Sequence, residues 1–236
     1  ELEYVERFAL IKIKTENIPT EVGPVLNIEQ QSCVDAIHQS NNFAVHLLDG
    51  ITGSGKTEVY IQTILNCIAK GKQALILVPE IGLTPQTLER FKSRLPVPVH
   101  ILHSNLSDGA RMQAWAAMAE GNGRVLLGTR SAVFASLPDA GLIIVDEEHE
   151  TSYKQYDPAP RYHARDASIV LAKIHQAKNL LGSATPSIES YYNAKHNKYG
   201  LVELHKRFGD SQLPDIELTD IKDKHKRKQM QGHFSD

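Results

Sequence analysis

The sequence predicts a three-layer α/β/α sandwich built on a mostly parallel sheet. Short, nearly continuous apolar runs recur along the chain, as strands buried on both faces require. Most of these runs are followed by a helix-length segment able to make the right-handed crossover that joins parallel strands. The first run ends in a glycine-rich turn, Gly50-Ile51-Thr52-Gly53-Ser54-Gly55-Lys56-Thr57, which opens directly onto a helix.

Residues 1–25 read as a lead-in segment: 8–13 alternates enough for a strand, and 19–24 is a proline-bounded linker. A helix is predicted over 27–39, with Asn27 as its N-cap and Ile28, Val34 and Ile37 giving partial periodicity. The run 44–48 follows, then the glycine-rich turn and a helix through Ala69. Runs at 74–78 and 97–102 precede helices over 84–95 and 107–120. Runs at 124–127 and 142–145 come next. A helix over 163–175 leads to a run at 179–181, and a last helix spans 187–194. Beyond Lys206 the pattern stops. Residues 209–220 have room for one strand at 216–218, and 220–236 is charged and reads as linker or tail. The domain division is therefore 1–25, 26–206 and 207–236.

With 236 residues, 41% of them hydrophobic and 23% charged, the chain suits one large α/β domain. No apolar run approaches the roughly 20 residues of a membrane helix. A net charge of −2 excludes a uniformly basic nucleic-acid glove, so any DNA contact must use local patches and backbone amides. Cys33 and Cys67 are too few for a Cys₄ zinc site or a disulfide framework and read as reduced thiols of a cytosolic protein. A first residue of Glu1, no visible signal peptide and a polar end suggest a piece of a longer protein.

The glycine-rich turn matches the phosphate-loop pattern at every fixed position. Glycines let the backbone curl until successive N–H groups face phosphate oxygens, and the following helix adds its positive end. Lys56 is then the β- and γ-phosphate cation and the Thr57 hydroxyl a Mg²⁺ ligand. Leu142-Ile143-Ile144-Val145-Asp146-Glu147-Glu148-His149 runs four apolar residues into three acids and a histidine. Adjacent carboxylates repel, so the cluster needs a reason. At the carboxyl end of a parallel strand, Asp146 holds Mg²⁺ through water and Glu147 polarises the attacking water. Glu148 also suits a solvated face. Loop and acids together point to a nucleotide hydrolase. His103-Ser104 follows the third run on the same side, but a lone histidine is more often structural and is not assigned to the site.

The phosphate loop, the Asp-Glu-Glu-His string and Gly182-Ser183-Ala184-Thr185-Pro186 resemble motifs I, II and III of superfamily 2 helicases. Segments 49–58, 77–86, 128–134, 146–155 and 181–189 together resemble the primosomal replication-restart helicases of that superfamily. The likeness covers roughly residues 26–206 and corresponds to the N-terminal RecA-like lobe. It implies an ATP-binding set of Gln30, Gly50, Ile51, Thr52, Gly53, Ser54, Gly55, Lys56, Thr57 and Glu58. Gln30 would read the adenine edge, with an ordinary helix-surface glutamine as the alternative. Motif-like segments 78–84 and 128–131 would touch the backbone of single-stranded DNA through Pro79, Gly82, Thr84, Thr129, Arg130 and Ser131; Thr84 and Arg130 offer phosphate donors. His149, Ser183 and Thr185 would couple hydrolysis to movement. The stretch 151–166 is similar to the aromatic-rich loop of these and of RecQ-type helicases. Its Tyr153, Lys154, Arg161, Tyr162 and Arg165 suit stacking and phosphate contact, or else the tyrosines pack the loop onto the core.

The implied activity is ATP-dependent 3′-to-5′ unwinding of forked DNA in replication restart, with ATP and Mg²⁺. Other primosome proteins and single-stranded-DNA-binding protein are the implied partners, in the bacterial cytoplasm and without a membrane. The resemblance places the zinc cluster and the second lobe outside this segment, and the upstream DNA-binding domain either outside it or reduced to residues 1–25. A double-stranded DNA translocase, or a nucleotide- and DNA-binding module inactive without its second lobe, remain alternatives. A small-molecule kinase shares the phosphate loop but gives no role to Ser183-Ala184-Thr185.

Overall fold

The computed structural model describes residues 21–40, 42–207, 222, 230–231 and 234–235. The strands expected at 8–13 and 216–218 lie outside these residues. Helix α1 (Ile28–Gln39) leads into β1 (Ala44–Gly50), α2 (Lys56–Ala69), β2 (Gln73–Leu77), α3 (Pro85–Arg94) and β3 (Val99–Leu102). Then come α4 (Asp108–Ala119), β4 (Val125–Gly128), β5 (Ala140–Asp146), α5 (Ala164–Ile174), β6 (Lys178–Ser183), α6 (Ile188–Lys195) and β7 (Gly200–Leu204). Two-residue strands at Met230–Gln231 and Phe234–Ser235 pair with each other.

The seven strands form one sheet in the order β3-β4-β2-β5-β6-β1-β7, every pair parallel. Alternation along each strand sends side chains into two cores. Ala74, Ile76, Leu142 and Ile144 join Ile37, Ile61, Ile64 and Phe91 from α1, α2 and α3. Leu75, Leu77, Ile143 and Val145 join Met118, Ala172 and Ala194 from α4, α5 and α6. This is the sandwich that the apolar runs predict. The helices start where hydroxyl or amide side chains cap them. Asn27 closes a capping box with Gln30, and Thr84, Ser107 and Ser187 each accept an N–H from the first turn of α3, α4 and α6.

Two of the departures from expectation have a local cause. Strand β3 starts at Val99 rather than 97, because Pro96 and Pro98 cannot donate to a ladder. The edge strand β7 breaks the apolar pattern at Gly200 and Glu203, so its periodicity is hidden. It nevertheless fixes the glycine-rich turn, since the Leu204 carbonyl accepts the Ile51 N–H at 3.2 Å.

The order places β6 between β5 and β1, with Asp146 beside Gly182 and Asp49 beside Ser183. Three strand ends that carry candidate chemistry therefore emerge side by side.

His46 on β1 is 8% exposed, and neither ring nitrogen has a hydrogen-bond partner among the described residues. Burial, with Lys178 adding repulsion, lowers its pKa to about 4. The folded chain keeps the ring neutral while the unfolded chain protonates it below roughly pH 6.5. The stability from this residue is therefore full above that pH and falls as pH drops toward 4, by up to about 3 kcal/mol. Between pH 7 and pH 4 wild type should lose up to about 3 kcal/mol more stability than His46→Leu, which lacks the titrating ring; melting curves that run parallel would reject this assignment.

Candidate active site

The turn after β1 and the N-terminus of α2 line a cleft of about 890 Å³, shared with Gln30, Arg94, Asp146 and Glu147. Gly53 and Gly55 have φ of 80° and 85°, values that L side chains rarely adopt. A Cβ on Gly53 would meet nothing within 4 Å, so that side of the loop is open, whereas one on Gly55 would strike the Gln30 amide. Gly55 is the N-cap of α2 and supplies no side-chain cap. The first-turn amides keep their positive end for an anion. Ser54 Oγ is buried and has no hydrogen-bond partner among the described residues. Open glycine backbone, uncapped amides, Lys56 and a half-buried Thr57 are a set that fits a nucleotide phosphate tail.

Lys56 Nζ donates to the Gly50 carbonyl at 2.8 Å and lies 3.9 Å from Glu147 Oε1. The two sequence motifs thus meet across β1, β6 and β5. Asp146 ends β5, and Glu147 follows at φ 47°, a left-handed backbone rare for a residue with a side chain. Such a conformation costs about 1–3 kcal/mol and is found mostly where function holds it.

Tyr60 is a site residue that no linear pattern marks. Its hydroxyl donates to Asp146 Oδ1 at 2.8 Å from the buried face of α2. The approach is possible because position 182 is glycine, where a Cβ would collide with the Tyr60 hydroxyl. Burial raises the Asp146 carboxyl above its ordinary value and the Glu147 charge adds to the rise, while the Tyr60 hydrogen bond opposes both.

The expected coupling residues converge. His149 Nδ1 lies 2.8 Å from Ser183 Oγ and 3.6 Å from Glu147 Oε2. Ser183 Oγ also accepts the Thr185 N–H at 2.9 Å, and Thr185 Oγ1 is 3.5 Å from His149 Nε2. One imidazole thus lies against both the segment after β6 and Glu147.

Glu148 does not lie on a solvated face. It is 0% exposed and accepts the Ser187 N–H at 2.6 Å, the Ser190 hydroxyl at 2.8 Å and the Ser187 hydroxyl at 3.0 Å. Arg165 supplies the counter-charge through Nη1 at 3.1 Å. Burial works against the guanidinium charge, but Asp166 and Glu148 outweigh it and its pKa is raised.

Several of the residues expected to contact DNA have partners within the fold. Tyr153 is 0% exposed and its hydroxyl donates to the Asp146 carbonyl at 2.7 Å, so it packs the loop onto the core and presents no ring to a base. Arg165 turns inward to Glu148. Arg130 Nη1 donates to the carbonyls of Lys154 at 3.1 Å and Ser152 at 3.3 Å, binding the 128–131 segment to the aromatic loop. Pro79 and Thr129 are buried, while Thr84, Ser131 and Arg161 are exposed and Gly82, Lys154 and Tyr162 half-buried. The Tyr162 ring meets Phe134 edge-on at 4.7 Å. The Thr84 hydroxyl caps α3.

Gln30 is neither a free surface amide nor an idle one. It is 1% exposed; its Oε1 accepts the Asn27 N–H at 3.0 Å, and its Nε2 donates to the Ser54 carbonyl at 3.0 Å. It braces the phosphate loop from the wall of the cleft. Glu58 is held by Arg94 in a two-pronged ion pair, one arm of which spans 2.9 Å. That contact joins α2 to α3, which the sequence did not indicate.

Known proteins are similar to this chain. The chain is 48% identical over 197 residues to the replication restart protein PriA of Haemophilus influenzae, covering 84% of this chain and 27% of that protein. It is 43% identical over 213 residues to PriA of Bacillus subtilis, covering 89% of this chain and 26% of that protein. The chain thus spans about a quarter of the length of these curated relatives. Among solved structures, RecG bound to a three-way DNA junction superposes with a TM-score of 0.61 at 22% identity, covering 90% of this chain and 27% of that one. The Hef helicase domain of Pyrococcus furiosus gives 0.54 at 22% identity, covering 75% of this chain and 37% of that one. At these identities the structures show a common fold. The model of the DEAD/DEAH box helicase family matches residues 27–194, from the cap of α1 into α6. That match spans more than half the chain and contains the phosphate loop, the acidic strand end and the Ser183–Thr185 segment, and the chain belongs to the DEAD/DEAH box helicase family.

Proposed function

We propose that this chain is the nucleotide-holding lobe of a longer ATP-dependent DNA helicase that acts in replication restart. The observation that carries the reading is the meeting of Lys56 with Glu147 at 3.9 Å beside an open phosphate cradle. The identity to PriA supports the biological setting, and the superfamily resemblance supplies the 3′-to-5′ direction and the forked substrate. Binding starts with the amides of the 50–57 turn, which take phosphate oxygens while Lys56 leaves the Gly50 carbonyl for the β- and γ-phosphates. Thr57 and Asp146 are the residues that would hold Mg²⁺. When bound, that ion neutralises phosphate charge. Glu147 orients and polarises the attacking water. His149, Ser183 and Thr185 report the state of the γ-phosphate to α6 and the aromatic loop. Thr84, Ser131 and Arg161 remain exposed for the phosphates of single-stranded DNA. The bacterial cytoplasm is the proposed compartment.

Phosphate release from MgATP, measured with and without single-stranded DNA, tests this reading in the full-length protein and in this chain. Stimulation in the full-length protein supports it. Stimulated turnover by the chain alone would mean that no second lobe is needed. No turnover in either would reject the motor assignment and leave a binding module.

A further inference from the structure

A second cleft, of about 710 Å³, opens beyond the carboxyl ends of β3 and β4. One stripe of α4 forms a wall: Asp108, Arg111, Met112 and Trp115 recur at the three- and four-residue spacing of a single helix face. The opposite face, through Ala114, Ala117 and Met118, is buried in the core, so this stripe is held rigidly. Met112 is 46% exposed and Trp115 42%, an unusual outlay of apolar area. His103 and Ser131 close the other sides. The Asn105 N–H donates to His103 Nδ1 at 3.2 Å, which leaves Nε2 as the ring's N–H donor. Arg111 is only loosely engaged, 3.6 Å from Asp108 on the surface.

We propose that this cleft takes a base of single-stranded DNA, stacked on Trp115, with Arg111 and His103 on the adjoining phosphate. The proposal rests on the DNA-binding reading above. An exposed indole on a rigid helix with a cation one turn away is the combination that binds single strands without sequence preference. Its position favours DNA over a protein segment. Ser131, one of the exposed residues proposed above for DNA phosphates, also lines this cleft, so the cleft would continue that path. A protein segment would not distinguish a strand with bases from one without.

Trp115 is the only tryptophan in the chain, so its emission reads the cleft directly. Titrating the chain with oligothymidylate at low salt should quench that emission. An oligonucleotide of equal length made of abasic sites should bind more weakly and leave it unquenched. With a labelled oligothymidylate followed by anisotropy, Trp115→Ala should lose roughly tenfold in affinity or more, and Trp115→Phe should keep most of it. Neither substitution should change binding of the abasic strand. Oligothymidylate binding with unchanged emission, and equal affinity for Trp115→Ala, would overturn the stacking site while leaving DNA binding intact. No binding of either strand would overturn the site together with the DNA-binding reading beneath it.

Discussion

Glu147→Gln is expected to reduce DNA-stimulated ATP hydrolysis by the full-length protein at least about a hundredfold, with little change in the affinity for MgATP. Glutamine fills the same space and keeps a polar tip toward Lys56, but it loses the charge that polarises water. The nucleotide contacts, made by the 50–57 turn and Lys56, are untouched. The unusual backbone at Glu147 (φ 47°) strengthens the expectation, because the fold holds a costly conformation at the acid beside Lys56, while its neighbours Asp146 and Glu148 accept hydrogen bonds from Tyr60 and from Ser187 and Ser190. Steady-state phosphate release and equilibrium nucleotide binding measured on the same variant separate the two effects. Turnover equal to wild type would remove Glu147 from the chemistry.

Arg165→Ala should lower the stability of this chain by about 3–5 kcal/mol, because it strands the Glu148 carboxylate in the core without its counter-charge. For a chain of this size that corresponds to a melting temperature lower by roughly 6–20 °C. Glu148→Gln should cost less, since an amide oxygen still accepts from Ser187 and Ser190. The alternative role, an arginine that contacts DNA phosphate, predicts the reverse: normal melting with weakened, less salt-dependent DNA binding. Thermal denaturation and DNA titration of Arg165→Ala therefore decide between an internal strut and a DNA contact.

The contrast between these residues explains what the sequence made legible. The phosphate loop was readable because its mechanism fixes residue type and spacing within eight consecutive positions. The acidic strand end was readable because an apolar run turning abruptly to carboxylates has few structural uses. Strand alternation with helices gave the sandwich, since burial on both faces imposes composition. Arg130 and Arg165, by contrast, look like phosphate donors from composition alone. A cation in a loop carries no local sign of which way it faces, and both turned to partners inside the fold. Tyr153 followed the same logic, its ring being taken by the core and its hydroxyl by the Asp146 carbonyl. Tyr60 was invisible for another reason. Its contact with Asp146 depends on the register of β5 against β6 and on the missing side chain at Gly182, neither of which a linear pattern encodes. Edge strand β7 escaped because an edge needs only one buried face and tolerates Gly200 and Glu203.

The central claim is that the 50–57 turn and the β5 terminus form one nucleotide site. Titration calorimetry of this chain with ATP, in the presence and absence of Mg²⁺, tests it most directly. The account predicts Mg²⁺-dependent binding by wild type and Glu147→Gln, and a loss of at least about tenfold in affinity for Lys56→Ala, the worth of a charge-assisted hydrogen bond. Equal affinity of Lys56→Ala and wild type would contradict it.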